Sequence, residues 1–166
     1  MTGAPPRTRR FSPADAEAVA AMVGALNAEE GYNRGTAPDA AALRAAFLGP
    51  GAAGRLLVAV DGAPVGYATL HTTYETEFAA RGAYLGDLYV EPRARRRGLG
   101  RALVAAAAAL VRAEGGVFLW WTALPRNAAA HAFYRTLGAE DEPIRAFALT
   151  RGAFDRLAAA AAGVAP

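Results

Sequence analysis

The stretch "AYLGDLYVEPRARRRGLGRAL", Ala83 to Leu103, decides the fold. Its first part reads as a strand that Pro92 ends, because proline lacks the N–H a strand ladder needs. An Arg cluster follows, broken by Gly98 and Gly100. An Ala-rich helix then runs from about Gly98 to Ala113 and stops at Gly115-Gly116. The unit is therefore strand, Arg/Gly loop, helix. A helix start carries unpartnered N–H groups and a partial positive charge, so it favours an anion. Glycine has no Cβ and lets the backbone come close. The arginines add charge. Together these point to a phosphate or pyrophosphate site.

Two familiar phosphate motifs do not fit. A P-loop needs Gly-Lys-Ser/Thr, and the chain contains no Lys. The dinucleotide fingerprint needs a third glycine where Leu103 stands, and no acidic residue closes the next strand.

Outward from this stretch the chain alternates strand-like and helix-like segments. "RTRRF" (7–11) is a short first strand. Ser12 is placed to cap a helix with Pro13 in its first turn and Val19, Met22, Val23 and Leu26 on one face. A loop (27–37) and a second helix over about Pro38–Leu48 follow. Asp61-Gly62 between two apolar runs signals a β-hairpin over 55–72. Residues 73–82 read as a polar excursion. "VFLWWTAL" (117–124) is a strand, Asn127 caps a helix to about Leu137, "PIRAFALT" (143–150) is a last strand, and a helix or frayed tail ends the chain. The order predicts one α+β domain over 1–166, with its core at about 7–157. Its sheet is central, mixed and mostly antiparallel, flanked by helices, with the parallel part across the Gly98 helix.

The bulk composition agrees. The 166 residues are 54% hydrophobic and 20% charged, enough for a core. Absence of Cys excludes disulfides, Cys-ligated zinc and a Cys nucleophile. No secretory signal is evident, and the longest apolar run, Ala102–Val111, is about half a membrane span. The expectation is a soluble, cytoplasmic protein that binds no membrane. The net charge of +3 is too small to imply nucleic acid, and no aromatic interleaves the Arg cluster for base stacking.

Arg95-x-x-Gly98-x-Gly100 after "LYVEP" resembles the acyl-CoA loop of the GNAT superfamily of N-acetyltransferases. "NAAAHAFYRTLGA" (127–139) resembles that superfamily's second signature. "LGDLYV", "FYRTLGA" and "RAFALTRGAF" look most like its diamine and spermidine/spermine acetyltransferase branch. The resemblance implies acetyl-CoA as co-substrate and no metal. It implies that main-chain groups of Leu88, Tyr89 and Val90 pair with the pantetheine arm like an added strand. It implies that N–H groups over Arg96, Arg97, Gly98, Leu99, Gly100 and Arg101 hold the pyrophosphate, with Arg95 at the motif's first position. Asn127 would contact pantetheine, and Tyr134 would sit near the thioester sulfur.

The residues themselves agree with those roles. Asn127, His131 and Tyr134 fall on one helix face. A phenol can donate a proton or hydrogen bond to a leaving thiolate. A backbone N–H near the end of the 84–90 strand could hold the thioester oxygen as charge develops. The attacking amine must lose a proton, and Asp87, Glu75 and Glu77 are candidates to take it. The branch it resembles often has an acidic pair before the strand's aromatic residues; here one member is Gly86 and Asp87 remains. Glu29, Glu30 and Tyr32 lie where this superfamily shapes the acceptor pocket, and they read equally as a solvated loop. Trp120 and Trp121 point to opposite sides of a strand, so one is core and the other can wall the acceptor cleft; alternation does not say which, and Trp121 is carried as a candidate beside Glu75.

The expected function is transfer of acetyl from acetyl-CoA to a primary amine of a small molecule by direct attack. A protein or peptide N-acetyltransferase and a non-catalytic acyl-CoA-binding module are the alternatives. A homodimer is expected, and a nucleic-acid partner is not.

Overall fold

Apolar side chains in the first two-thirds of the chain divide by strand alternation onto two faces, and each face collects its own helices. The computed structural model describes residues 7–31 and 37–161. They form two compact units, one reaching to Arg126 and one beginning at Asn127.

The first unit holds five strands: β1 (Arg7–Arg10), β2 (Arg55–Asp61), β3 (Ala63–Glu75), β4 (Ala80–Val90) and β5 (Leu119–Trp120). Their order in the sheet is that of the chain. The first three pairings are antiparallel, and β4 pairs β5 in parallel. Its helices are α1 (Ala16–Glu30), α2 (Ala40–Phe47) and α3 (Leu99–Ala113). The mixed, mostly antiparallel sheet of the sequence reading is thus present.

On one face Leu57, Ala68, Leu70, Ala83 and Leu85 pack with Leu99, Leu103, Ala107 and Val111 of α3. These four α3 residues recur every fourth position, which makes one continuous stripe. On the other face Leu56, Val58, Tyr67 and Tyr89 pack with Val19, Met22 and Val23 of α1 and Leu43 of α2. Each large side chain so buried contributes roughly 2 kcal/mol. Asp39 caps α2, accepting the Ala42 N–H at 2.8 Å. Ser12 precedes a short 3-10 turn at Pro13–Asp15, and α1 begins after it.

Three expectations change. Residues 73–82 are a continuation of the hairpin: β3 runs to Glu75, β4 starts at Ala80, and Thr73 pairs Gly82. Polar side chains hid the strand, which the β3–β4 backbone ladder holds. The 117–124 strand shrinks to Leu119–Trp120, paired with Ala83 and Tyr84. Past Tyr84 the bulge described below bends β4, and β5 does not follow. Residues 143–150 form no strand. A ladder needs a partner, and no other strand is described in the second unit. That unit contains α4 (Ala128–Arg135) and α5 (Arg151–Ala159).

Candidate active site

The β3–β4 pairing slips by one residue where Ala68 faces Leu88 and Leu70 faces Leu85. Gly86 and Asp87 therefore stand opposite Thr69 alone, a β-bulge. Strict alternation would put Asp87 on the face of Leu85, inside the α3 cluster. The bulge instead turns it toward Tyr67 and Thr69. The Tyr67 hydroxyl donates to Asp87 Oδ2 at 3.5 Å, and the Asp87 N–H donates to Thr69 Oγ1 at 2.8 Å. Gly86 is required by space: a Cβ there would lie 2.8 Å from Thr69 Oγ1.

Burial pushes the Asp87 carboxyl up from its ordinary value, while the His71 charge and hydrogen bonding with Tyr67 and Thr69 oppose the shift. Burial also drives the Tyr67 phenol well above its usual range, helped by the charges of Asp87 and Glu30. Two of the predicted acidic residues, Asp87 and Glu30, thus act on one buried phenol. Nothing in the sequence periodicity singled out Tyr67, Thr69 or His71. Their signal was only the alternate spacing on the strand beside Asp87.

Beyond the bulge, among the described residues, β4 has a strand on one side only. No described strand pairs its other edge from Leu85 to Val90. This edge leads into the Arg/Gly loop. Arg95 Nε donates to the Val90 carbonyl at 2.7 Å, and Arg95 Nη2 donates to both Glu29 oxygens at 2.8 and 2.9 Å. Its guanidinium also lies 5.5 Å from the centre of the Tyr89 ring. Arg97 pairs Asp61 at 2.6 Å, and Arg93 pairs Glu91 at 2.6 Å. Three of the five arginines thus serve carboxylates of the chain.

The backbone between them is unusual. Arg96 has φ +62° and Gly98 has φ +80°. Two left-handed residues around Arg97 make a concave turn of the kind whose N–H groups converge on an anion. Gly98 is there for its φ, since nothing lies within 4 Å of a Cβ built on it. It caps α3, and the first helical bond of α3 runs from the Ala102 N–H to the Gly98 carbonyl at 2.9 Å. The amides of Leu99 and Gly100 precede that bond and have no acceptor within the helix.

In the second unit Asn127 caps α4, its Oδ1 accepting the Ala130 N–H at 3.1 Å. Tyr134 lies in the last turn, its ring 5.3 Å from that of Phe133. Gly138, at φ +81°, follows the helix end, as the sequence expects.

Residues 19–139 match the model of the acetyltransferase (GNAT) family. The chain belongs to that family. It is an acetyltransferase, and its α+β architecture is the one expected from the resemblance. No curated protein matches the chain. Solved structures do. One is an aminoglycoside acetyltransferase from an uncultured soil metagenomic sample, in complex with sisomicin. It is 19% identical, over 89% of this chain and 97% of that one, with a TM-score of 0.72. Another is an integron cassette protein from the mobile metagenome of V. cholerae, 20% identical over 94% and 99%, TM-score 0.75. A third is described as a putative acetyltransferase from Agrobacterium tumefaciens, 22% identical over 87% and 99%, TM-score 0.70. At these identities the likeness is one of fold.

The remaining predicted positions fall as follows. Glu29, half exposed, is engaged by Arg95. The Glu30 carbonyl accepts from Arg126. Tyr32 lies outside the described residues. Glu75 pairs Ala80 at the far end of β4, and Glu77 is at the hairpin tip. The seven residue steps from Ala80 to Asp87 span about 23 Å of strand, so the fold does not bring these glutamates to Asp87. Trp121 packs against the α3 cluster. Trp120 is the tryptophan that meets Tyr84, ring centres 4.5 Å apart, and it is 39% exposed. Among the described residues no group of three or more His, Asp or Glu could hold a metal ion. No described helix is long and apolar enough to cross a membrane.

Proposed function

We propose that this chain transfers acetyl from acetyl-CoA to a primary amine of a small molecule. The observation that carries the proposal is the open β4 edge running directly into the left-handed Arg/Gly turn at the start of α3. Leu88, Tyr89 and Val90 offer main-chain groups to the pantetheine amides, in the manner of strand addition. Amides from Arg96 to Arg101 receive the pyrophosphate. Arg95 shapes the loop instead of facing the ligand. Asn127 serves the pantetheine end, and Tyr134 protonates the leaving thiolate.

The acceptor side of this reading is acidic. Asp87 and Glu30 suit a cationic amine, drawn in as ammonium and deprotonated for attack. The proton leaves toward Asp87, taken by the carboxylate or by a group that its charge supports. Burial raises the Asp87 carboxyl, which makes it a better base than an ordinary carboxylate. Polyamine-like and aminoglycoside-like amines are the proposed classes. The branch resemblance supports the first, and the sisomicin complex of a protein of similar fold supports the second. We place the enzyme in the cytoplasm, as one catalytic domain and a homodimer.

An acetyl-CoA thiol-release assay across diamines, polyamines, aminoglycosides and amino acids tests this. Amine-dependent release with at least one class is expected, with Asp87→Asn lowering it. Tight CoA binding with no release on any amine would make the chain a non-catalytic acyl-CoA module.

A further inference from the structure

We infer that the His71 imidazole is the proton acceptor for the amine, through Nε2, and that it works over the gap left by Gly86. This rests on the acetyl-transfer reading above. His71 is on β3, two residues after Thr69 and four after Tyr67, on the face to which the bulge turns Asp87. A Cβ at Gly86 would lie 3.4 Å from His71 Nε2. The imidazole therefore occupies the ground that a side chain at 86 would enter. Gly86 itself is exposed, so the approach over it is open.

The other ring nitrogen fixes the tautomer. His71 Nδ1 lies 3.2 Å from the Ala53 carbonyl, which can only accept, so Nδ1 carries the hydrogen. Nε2 is left with its lone pair, facing Gly86. The Phe47 ring of α2 lies tilted against the imidazole, ring centres 6.3 Å apart. Asp87 supplies the compensating charge for an imidazolium, and its own carboxyl responds to the charge of His71. The other charged groups toward this histidine are Arg10 of β1 and Arg55 of β2. They line, with His71, an open cavity of about 570 Å³ below the 48–54 loop. Both arginines are drawn to Glu114, at 3.8 and 2.9 Å.

The step balances as follows. The ammonium gives one proton to His71 Nε2. The neutral amine forms the N–C bond, the C–S bond breaks, and its electron pair goes to sulfur. The Tyr134 hydroxyl protonates the thiolate, and the second amine proton restores that hydroxyl through solvent. His71 returns its proton to water, so the net release is one proton per turnover.

The test uses the full chain with His71→Gln and His71→Asn, and Asp87→Asn alongside. CoA binding by calorimetry checks the fold and should stay within about twofold of wild type in both His71 variants. We expect kcat to fall about a hundredfold, the size typical of a lost general base. The fall in kcat/KM on the acid side should flatten, and added imidazole should restore part of the rate. Unchanged kcat and pH profile in a CoA-binding His71 variant would overturn the inference. A second readout needs no turnover: the chain has 2 His, so the ring signals of His71 are readily assigned against His131→Gln. Asp87→Asn should move the His71 ring resonances at constant pH. Ring signals indifferent to Asp87→Asn would overturn the pairing even if the wild type acetylated no amine on the panel.

Discussion

Arg95 ties the end of α1 to the end of β4: one guanidinium grips both oxygens of Glu29 and the carbonyl of Val90. Both partners are half exposed, so the pair adds at most about 1 kcal/mol to stability. Its effect lies in the shape of the loop that follows. Arg95→Ala should raise the KM for acetyl-CoA several-fold while the melting temperature moves by only a few degrees. Arg95→Lys should not rescue it, since an ammonium lacks the planar fork. An unchanged KM in Arg95→Ala would mean that the turn holds its form unaided.

Gly98→Ala tests the turn itself. The native φ of +80° costs an alanine roughly 1–2 kcal/mol. We expect CoA binding to weaken about tenfold by calorimetry. Arg97→Ala, which removes only an ion pair with Asp61, should weaken it less. The reverse ranking would move the anion contact from backbone to side chain.

Tyr134→Phe removes one hydroxyl and keeps the ring. If that hydroxyl protonates the thiolate, kcat should fall about 10²-fold with the KM for acetyl-CoA unchanged. Equal turnover by the variant would take Tyr134 out of the chemistry.

Acid stability reports on Asp15. Its buried carboxylate accepts two bonds from Arg9 at 2.6 and 2.7 Å, and the Ser12 N–H and hydroxyl at 2.8 and 2.7 Å. The Arg9 contact is the largest cause holding it down to about 2. The folded value is below the unfolded one, so its stabilisation is present above about pH 4 and lost as pH falls through about 2. It amounts to about 2 kcal/mol. Urea unfolding of wild type and Asp15→Asn should differ by that much at pH 7 and converge near pH 2. A gap that persists at pH 2 would assign the effect to packing.

The strand, Arg/Gly loop and helix were legible because their signals are local: Pro92 ends the strand, and the helix stripe repeats every fourth residue. Asn127 and Gly138 marked α4 for the same reason. The surroundings of Asp87 were half legible. Asp87 stood out as a lone carboxylate, yet the alternation of β4 places it on the face of Leu85, and only the slip against Thr69 turns it to that of Tyr67. A bulge is a relation between two strands, so one strand's sequence does not announce it. Tyr67 and His71 were hidden likewise, as ordinary positions on the neighbouring strand. The arginines misled in the other direction. Their number suggests ligand contacts, whereas Arg93, Arg95 and Arg97 are committed to Glu91, Glu29 and Asp61.

No described strand pairs the β4 edge from Leu85 to Val90, and this bears on handling the protein. Unpaired strand edges template the pairing of any extended chain, including another copy's. In the proposed reading the coenzyme occupies that edge, so the donor is also a guard against aggregation. Preparations stripped of coenzyme should lose solubility first. Light scattering on warming, with and without CoA, should separate the two before any difference in unfolding is seen.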